Sequence, residues 1–163
     1  MPAPDGTLTP PLSPQERDAL LGIALGKTTA ETASHMGVSE RTVKTYVVRI
    51  GRRLGAVERA AIVELAYRQQ LLDTPVLLRR EVHLSDGQRV ILDGLAAGKT
   101  VEQMADGERR RLSDVRKDAR STLRALGAST AAHAVTRGWQ FGLLGPAAGR
   151  EALRDVTSVA GPS

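Results

Sequence analysis

The sequence contains one segment written twice, and this repeat constrains the fold more than any other feature. Residues 12–72 and 84–144 align without a gap after a shift of 72 positions. About 18 of about 61 aligned positions are identical, which is enough to identify a repeat by self-similarity. The shared residues are mainly Leu, Gly and Ser or Thr, as in Leu12-Ser13 with Leu84-Ser85 and Gly26-Lys27-Thr28 with Gly98-Lys99-Thr100. Such residues at fixed offsets are typical of helix boundaries and core positions, so the chain is predicted to be two copies of one all-helical unit.

Each copy is predicted to form four short helices, with the first two starting at capping boxes. Ser13 pairs with Glu16, and Thr28 pairs with Glu31. The second copy keeps both pairs as Ser85 with Gln88 and Thr100 with Gln103. These caps also account for the two Gly-Lys-Thr triplets, because neither triplet has the strand and the additional glycine of a phosphate-binding P-loop.

The third helix of each copy is predicted from an amphipathic stripe. In the first copy Ser39 caps the helix, and Gly37 and Gly55 bound it. Its inward positions are Val43, Val47, Ile50 and Leu54, and the equivalent stripe of the second copy is Val115, Ala119, Thr122 and Leu126.

Composition excludes several classes of protein. There is no cysteine, so disulfides, thiol catalysis and zinc fingers are excluded. Aromatic residues are only 2% of the chain, which argues against a stacking platform for single-stranded nucleic acid. The net charge of +5 favours a polyanionic partner. We find no signal peptide, membrane span, metal cluster or catalytic constellation, so we expect a soluble cytoplasmic, nucleoid-associated protein that is not an enzyme and needs no cofactor or metal.

The outer face of the third helix is basic. Opposite the apolar stripe of the first copy lie Arg41, Lys44, Thr45, Val48, Arg49 and Arg52. Two short helices joined by a tight turn, the second of them basic on its outside, fit the major groove of DNA. The alternative is a charged face that is only solvated.

The first copy resembles the LuxR-type helix-turn-helix domain of quorum-sensing regulators and response regulators. The resemblance covers residues 12–72 and rests on LSPQER, then GVSERTVKTYV, then RRLGA. It implies a four-helix domain whose third helix reads DNA and whose fourth helix commonly supplies a dimer contact. By the motif, Lys44, Thr45 and Val48 are recognition positions, and Arg41, Arg49 and Arg52 lie near phosphates. The sequence departs from the family pattern at Val48, at Tyr46 and at Gly51, which interrupts the helix interior.

The second copy is a degenerate relative of the first. Arg109 stands at the position of Gly37 and Arg111 at that of Ser39, so Ser113 is expected to cap a later helix start. Its outward cations are Arg116, Lys117, Arg120 and Arg124. Two interpretations stay open: this unit grips phosphates, which we favour on its charge, or it packs against a partner protein.

The sequence therefore predicts an all-α protein made of two tandem four-helix helix-turn-helix domains, 12–72 and 84–144. Residues 1–11 are expected to form a disordered tail, 73–83 a linker and 145–163 a flexible tail. The apolar linker residues Val76, Leu77 and Leu78 are expected to pack between the units, and Trp139 is expected in the core.

The predicted function is sequence-specific, double-stranded DNA binding in transcription regulation. The alternative is an adaptor that uses one or both units to bind RNA polymerase or another regulator. A rigid tandem would read an asymmetric or direct-repeat site, whereas a homodimer through the fourth helices, at Ala61 or Leu65, would read a longer one.

Overall fold

All regular secondary structure in the described part of the computed structural model, residues 9–148, is helical. The helices are α1 (Pro14–Ala24), α2 (Thr29–Met36), α3 (Glu40–Leu54), α4 (Arg59–Arg68), α5 (Asp86–Ala96), α6 (Val101–Glu108), α7 (Leu112–Leu126) and α8 (Ala131–Gln140), and a further helical turn begins at residue 146. The all-α class is confirmed. The expected tails lie outside the described residues over 1–8 and 149–163.

The helices of the two repeats have the same lengths. In each repeat (first repeat, 12–72; second repeat, 84–144) they are 11, 8, 15 and 10 residues long. Each helix of the second repeat also starts 72 residues after its counterpart. None of the helices in residues 9–148 is long and apolar enough to cross a membrane.

The predicted capping boxes are present in both repeats. The Ser13 hydroxyl accepts a hydrogen bond from the Glu16 amide at 3.2 Å, and the Thr28 hydroxyl accepts one from Glu31 at 3.0 Å. The second repeat makes the same bonds from Ser85 and Thr100. Gly26 has a left-handed φ of 84°, so the Gly-Lys-Thr triplet is the end of one helix and the cap of the next.

The start of α7 differs from the prediction. The helix begins at Leu112, in the same register as α3, so the expectation that Ser113 caps a later start is wrong. Arg111 is the N-cap residue and its side chain makes no capping bond. Arg109 takes the left-handed conformation of Gly37, with φ of 51° against 68°. The buried stripe beginning at Val115 fixes the register of α7, because packing outweighs a missing cap of about 1 kcal/mol.

The larger of the two hydrophobic clusters spans both repeats, whereas the smaller one, with Ile91, Met104 and Val115, lies within the second repeat. The larger cluster of buried side chains includes Leu20, Val43 and Ile50 from the first repeat together with Leu126 and Val135 from the second. The expectation that Trp139 is a core residue is confirmed, since it is 5% exposed. The division into two domains remains a prediction, and the shared core means that the repeats pack as one body.

The contact between α4 and α8 contains two buried polar pairs at equivalent positions. The Trp139 indole donates a hydrogen bond to Glu64 Oε2 at 2.6 Å. The Tyr67 and Thr136 hydroxyls are 2.9 Å apart and hydrogen bonded. Glu64 is the counterpart of Thr136, and Tyr67 is the counterpart of Trp139. Tyr67 and Trp139 therefore each bond to the same position of the other repeat.

A second pair of contacts shows the same reciprocity. A Cβ on Gly26 would lie 2.5 Å from His133 Nδ1, and one on Gly98 would lie 3.0 Å from the Ala61 methyl group. Gly26 corresponds to Gly98, and Ala61 corresponds to His133. Contacts in which residue i meets j while the copy of j meets i are the mark of a two-fold interface.

Two expectations about surfaces need correction. Val76, Leu77 and Leu78 do not pack between the repeats, since they are 82%, 58% and 41% exposed. The Leu78 amide instead bonds the Gln140 carbonyl at the end of α8, at 2.8 Å. The fourth-helix surface that was assigned to a homodimer is covered within the chain, because Ala61 is buried and Leu65 half-buried.

We expect Glu64→Leu to lower the free energy of unfolding by about 2–3 kcal/mol, because the buried Trp139 N–H would lose its charged acceptor. The matched change Thr136→Val removes a neutral bond at the equivalent position and should cost about 1 kcal/mol. Urea unfolding of the two variants and of Glu64→Leu combined with Trp139→Phe measures the difference. Equal losses for the two single variants would contradict a dominant role for the charged bond.

Candidate nucleic-acid interface

Local sequence positions α3 so that its basic face points outward. The Ser39 hydroxyl accepts from the Thr42 amide at 3.1 Å and begins the helix, and Gly55 ends it in the left-handed conformation. Val43, Val47 and Ile50 are buried beneath it. Because these residues lie on one side, the opposite side of the helix faces solvent.

All six predicted residues of α3 are exposed: Arg41, Lys44, Thr45, Val48, Arg49 and Arg52. Val48 is 52% exposed, although it is apolar. The Thr45 hydroxyl bonds the Arg41 carbonyl at 2.9 Å, and the Arg49 guanidinium lies 6.0 Å from the centre of the Tyr46 ring. Within residues 9–148 none of the four cations forms an ion pair.

Gly51, a departure from the family pattern, has a packing reason. A Cβ at this position would lie 2.5 Å from the Ala56 carbonyl oxygen and 2.9 Å from Ile62 Cδ1. The absence of a side chain therefore lets α3 lie close to the start of α4. The sequence alone did not predict that Gly51 lies this close to Ile62, because Ile62 is on another helix.

The four predicted residues of α7 are also exposed: Arg116, Lys117, Arg120 and Arg124. They stand at the positions of Lys44, Thr45, Val48 and Arg52. At these four positions α7 therefore has four cations, whereas α3 has two. The Arg116 guanidinium lies 3.4 Å from Glu102 of α6. Both side chains are more than half exposed, so this ion pair contributes little to stability.

Carboxylates accompany the outward cations of the second repeat, both on α7, where the sequence shows Asp114 and Asp118, and on α6, where sequence analysis missed them. Asp118 pairs with Arg110 at 2.8 Å, and Glu102 and Asp106 are exposed on α6. The counterparts of the two α6 acids are Ala30 and Ser34, which are neutral. At these two positions the second repeat therefore presents acids where the first presents neutral groups.

The contact between the repeats holds the groups with shifted pKa values. Burial, reinforced by the positive charge of Arg137, lowers the pKa of His133, whose Nδ1 accepts a bond from the Ser129 amide at 3.2 Å. Burial raises the pKa of Tyr67. The described residues hold no group of His, Asp and Glu side chains that could bind a metal.

We expect Gly51→Ala to destabilise the protein by about 1–2 kcal/mol, because the clash with Ala56 exceeds the gain of about 1 kcal/mol in helix propensity. Gly107→Ala in α6 is the matched control, since a Cβ there meets nothing within 4 Å. That change should stabilise by up to about 1 kcal/mol. Thermal and urea unfolding report both effects, and a stabilising Gly51→Ala would refute the close approach.

Comparison with known proteins places the first repeat in a family. Residues 10–66 match the family model described as "Bacterial regulatory proteins, luxR family". The "Probable transcriptional regulatory protein NarL" of Mycobacterium tuberculosis is 44% identical over 66 residues, which cover 40% of this chain and 31% of the relative. The "HTH-type transcriptional activator RamA" of Corynebacterium glutamicum is 43% identical over 60 residues, which cover 37% of this chain and 21% of the relative.

The chain thus spans less than a third of the length of these curated relatives. No solved structure matches it significantly. A family of regulatory proteins agrees with the expectation that the chain is not an enzyme, whereas the resemblance of the second repeat stays a prediction. Residues 10–66 are a helix-turn-helix domain of the LuxR family of bacterial regulatory proteins.

Proposed function

We propose that the chain is a transcription regulator that binds double-stranded DNA sequence-specifically, with α3 in the major groove. The observation that carries the proposal is the outer face of α3, whose six predicted residues are all exposed and whose cations have no carboxylate partner in the described part of the chain. The regulatory family of residues 10–66 supports it.

The groups on α3 suit two different tasks. The major groove is about 12 Å wide and admits one helix, and its base edges distinguish the four base pairs. Lys44 donates to guanine acceptors, Thr45 bonds to several bases, and the exposed Val48 suits contact with a thymine methyl group. Arg41, Arg49 and Arg52 neutralise phosphates and so position the helix.

The second repeat contributes affinity more than specificity in this proposal. Its four outward cations on α7 attract phosphates, and electrostatic contacts of this kind do not depend on sequence. A docking surface for RNA polymerase or another regulator is the second candidate for this repeat. The exposed carboxylates of α6, Glu102 and Asp106, favour that alternative, because they repel phosphates and can pair with cations on a protein.

We expect Lys44→Ala combined with Thr45→Ala to reduce sequence preference by about 10-fold or more, because each good base contact contributes about 1–3 kcal/mol of discrimination. Duplexes selected from a random pool, compared with scrambled duplexes in a fluorescence anisotropy titration, measure the ratio of affinities. An unchanged ratio would mean that α3 is not the reading element.

We expect Arg116→Ala combined with Arg120→Ala to weaken binding to all duplexes by a similar factor. With about 6–8 phosphates neutralised, log affinity against log salt should have a slope of about −5 to −7, and the variant should lose about 2 units of that slope. Arg79→Ala with Arg80→Ala is the control, since it removes the same charge from the exposed linker. If both double variants weaken binding equally, net charge rather than α7 is responsible. If neither does, the second repeat is better assigned to a protein partner.

A further inference from the structure

We infer that a single chain is an internal two-fold dimer that reads an inverted pair of half-sites by itself. The inference rests on the proposed function and adds the architecture of the DNA site and the number of chains bound to it. It differs from the two arrangements that the sequence allows, a direct repeat read by a rigid tandem and a longer site read by a homodimer.

The first step is the reciprocity of the contacts between repeats. Trp139 bonds Glu64 while its counterpart Tyr67 bonds Thr136, the counterpart of Glu64. Gly26 lies against His133 while Gly98 lies against Ala61 in the same way. A head-to-tail arrangement would join two different surfaces and would show neither reciprocal pair. The repeats are therefore related by a two-fold rotation.

The second step is what a two-fold rotation does to the reading helices. The rotation carries α3 onto α7. It reverses the component of the helix direction that is perpendicular to the two-fold axis. The backbone of duplex DNA also has two-fold axes. Reading helices related by a two-fold rotation therefore match DNA half-sites in inverted orientation, commonly about 10 base pairs apart. Direct repeats would require a translation between the helices.

The third step concerns the number of chains. The fourth-helix surface is closed within the chain, where Ile62, Val63 and Ala66 face a core that also contains Val135 and Trp139. All five residues are at most 5% exposed. A second chain could reach this surface only by displacing α8, so one chain supplies both helices.

The two half-sites are predicted to be unequal. On α3 the residues Thr45 and Val48 are neutral, whereas their counterparts Lys117 and Arg120 are cations suited to phosphates. The half-site under α3 should therefore tolerate few base changes, and the half-site under α7 should tolerate many.

The test uses the full chain and duplexes built from the half-site that it selects from a random pool. Four duplexes are compared. The first carries an inverted pair of half-sites about 10 base pairs apart, and the second carries the same pair about 5 base pairs further apart. The third carries a direct repeat, and the fourth carries one half-site. Native mass spectrometry counts chains per duplex, and anisotropy gives affinity. We expect one chain on the inverted pair, bound about tenfold or more tighter than on the other three duplexes. We also expect substitutions in one half-site to cost more than those in the other.

Two chains on the inverted pair, or equal affinity for the direct repeat, would overturn the inference and leave the proposed function standing. A pool that yields no enriched duplex, or an enriched duplex whose binding does not depend on Lys44 and Thr45, would overturn the proposed function itself.

A variant separates the repeats as a further check. Ala61→Glu places a charge against Gly98, and Val76→Glu adds the same charge at a linker residue that is 82% exposed. If circular dichroism shows that Ala61→Glu keeps its helices, it should bind one half-site normally and lose the advantage of the inverted pair. Retention of that advantage would overturn the inference. If the variant unfolds, the four duplexes with the unaltered chain still decide.

Discussion

The arrangement of the two repeats relative to each other depends on the packing of α4 against α8. Apolar burial at that contact supplies most of the favourable free energy, but it is non-directional and would allow several orientations. The two polar pairs remove this freedom, because any slip of α4 along α8 leaves the Trp139 N–H or the Tyr67 hydroxyl buried without its partner. Each such loss costs about 1–3 kcal/mol. Glu64 itself also accepts a bond from Arg68 of its own helix. In this chain the buried polar groups therefore determine how α4 and α8 are oriented, and the aliphatic residues provide most of the stability.

Divergence between the repeats is concentrated where the shared fold permits it. The helix bounds are the same although most residues differ, because the inward stripe, the capping boxes and the glycine after the third helix are retained. The second repeat has lost Ser39 and Gly37 at the turn, and Arg109 adopts a left-handed conformation that costs a residue with a side chain about 1–2 kcal/mol. Packing of Val115, Thr122 and Leu126 holds α7 in register despite these losses.

The sequence predicts the local features of this structure better than the distant ones. Helix caps and outward cations follow from residues three or four apart, so both were predictable. The start of α7 was not, because a cap rule ranks Ser113 above Arg111 and carries no information on core packing. Neither the exposure of Val76 nor the pairing of Arg116 with Glu102 follows from spacing, since each depends on how separate helices meet. Two signals in the sequence could have located the contact between repeats: the paired aromatic positions 67 and 139, and the dimer contact that the family resemblance implies for the fourth helix.

The contact between α4 and α8 also determines where α3 lies relative to α7. Gly51 allows α3 to lie close to Ala56 and Ile62, so this helix packs closely against α4. Because α4 is in turn bonded to α8, the fold itself fixes the positions of α3 and α7 relative to each other. In the proposed DNA binding, a chain that is already ordered would lose less conformational entropy on association, and its second half-site would be engaged at high effective concentration. A duplicated domain joined by a loose linker would have the same cations without this advantage. Under the proposed function, the duplication therefore contributes more through the buried contact between the repeats than through the additional charge.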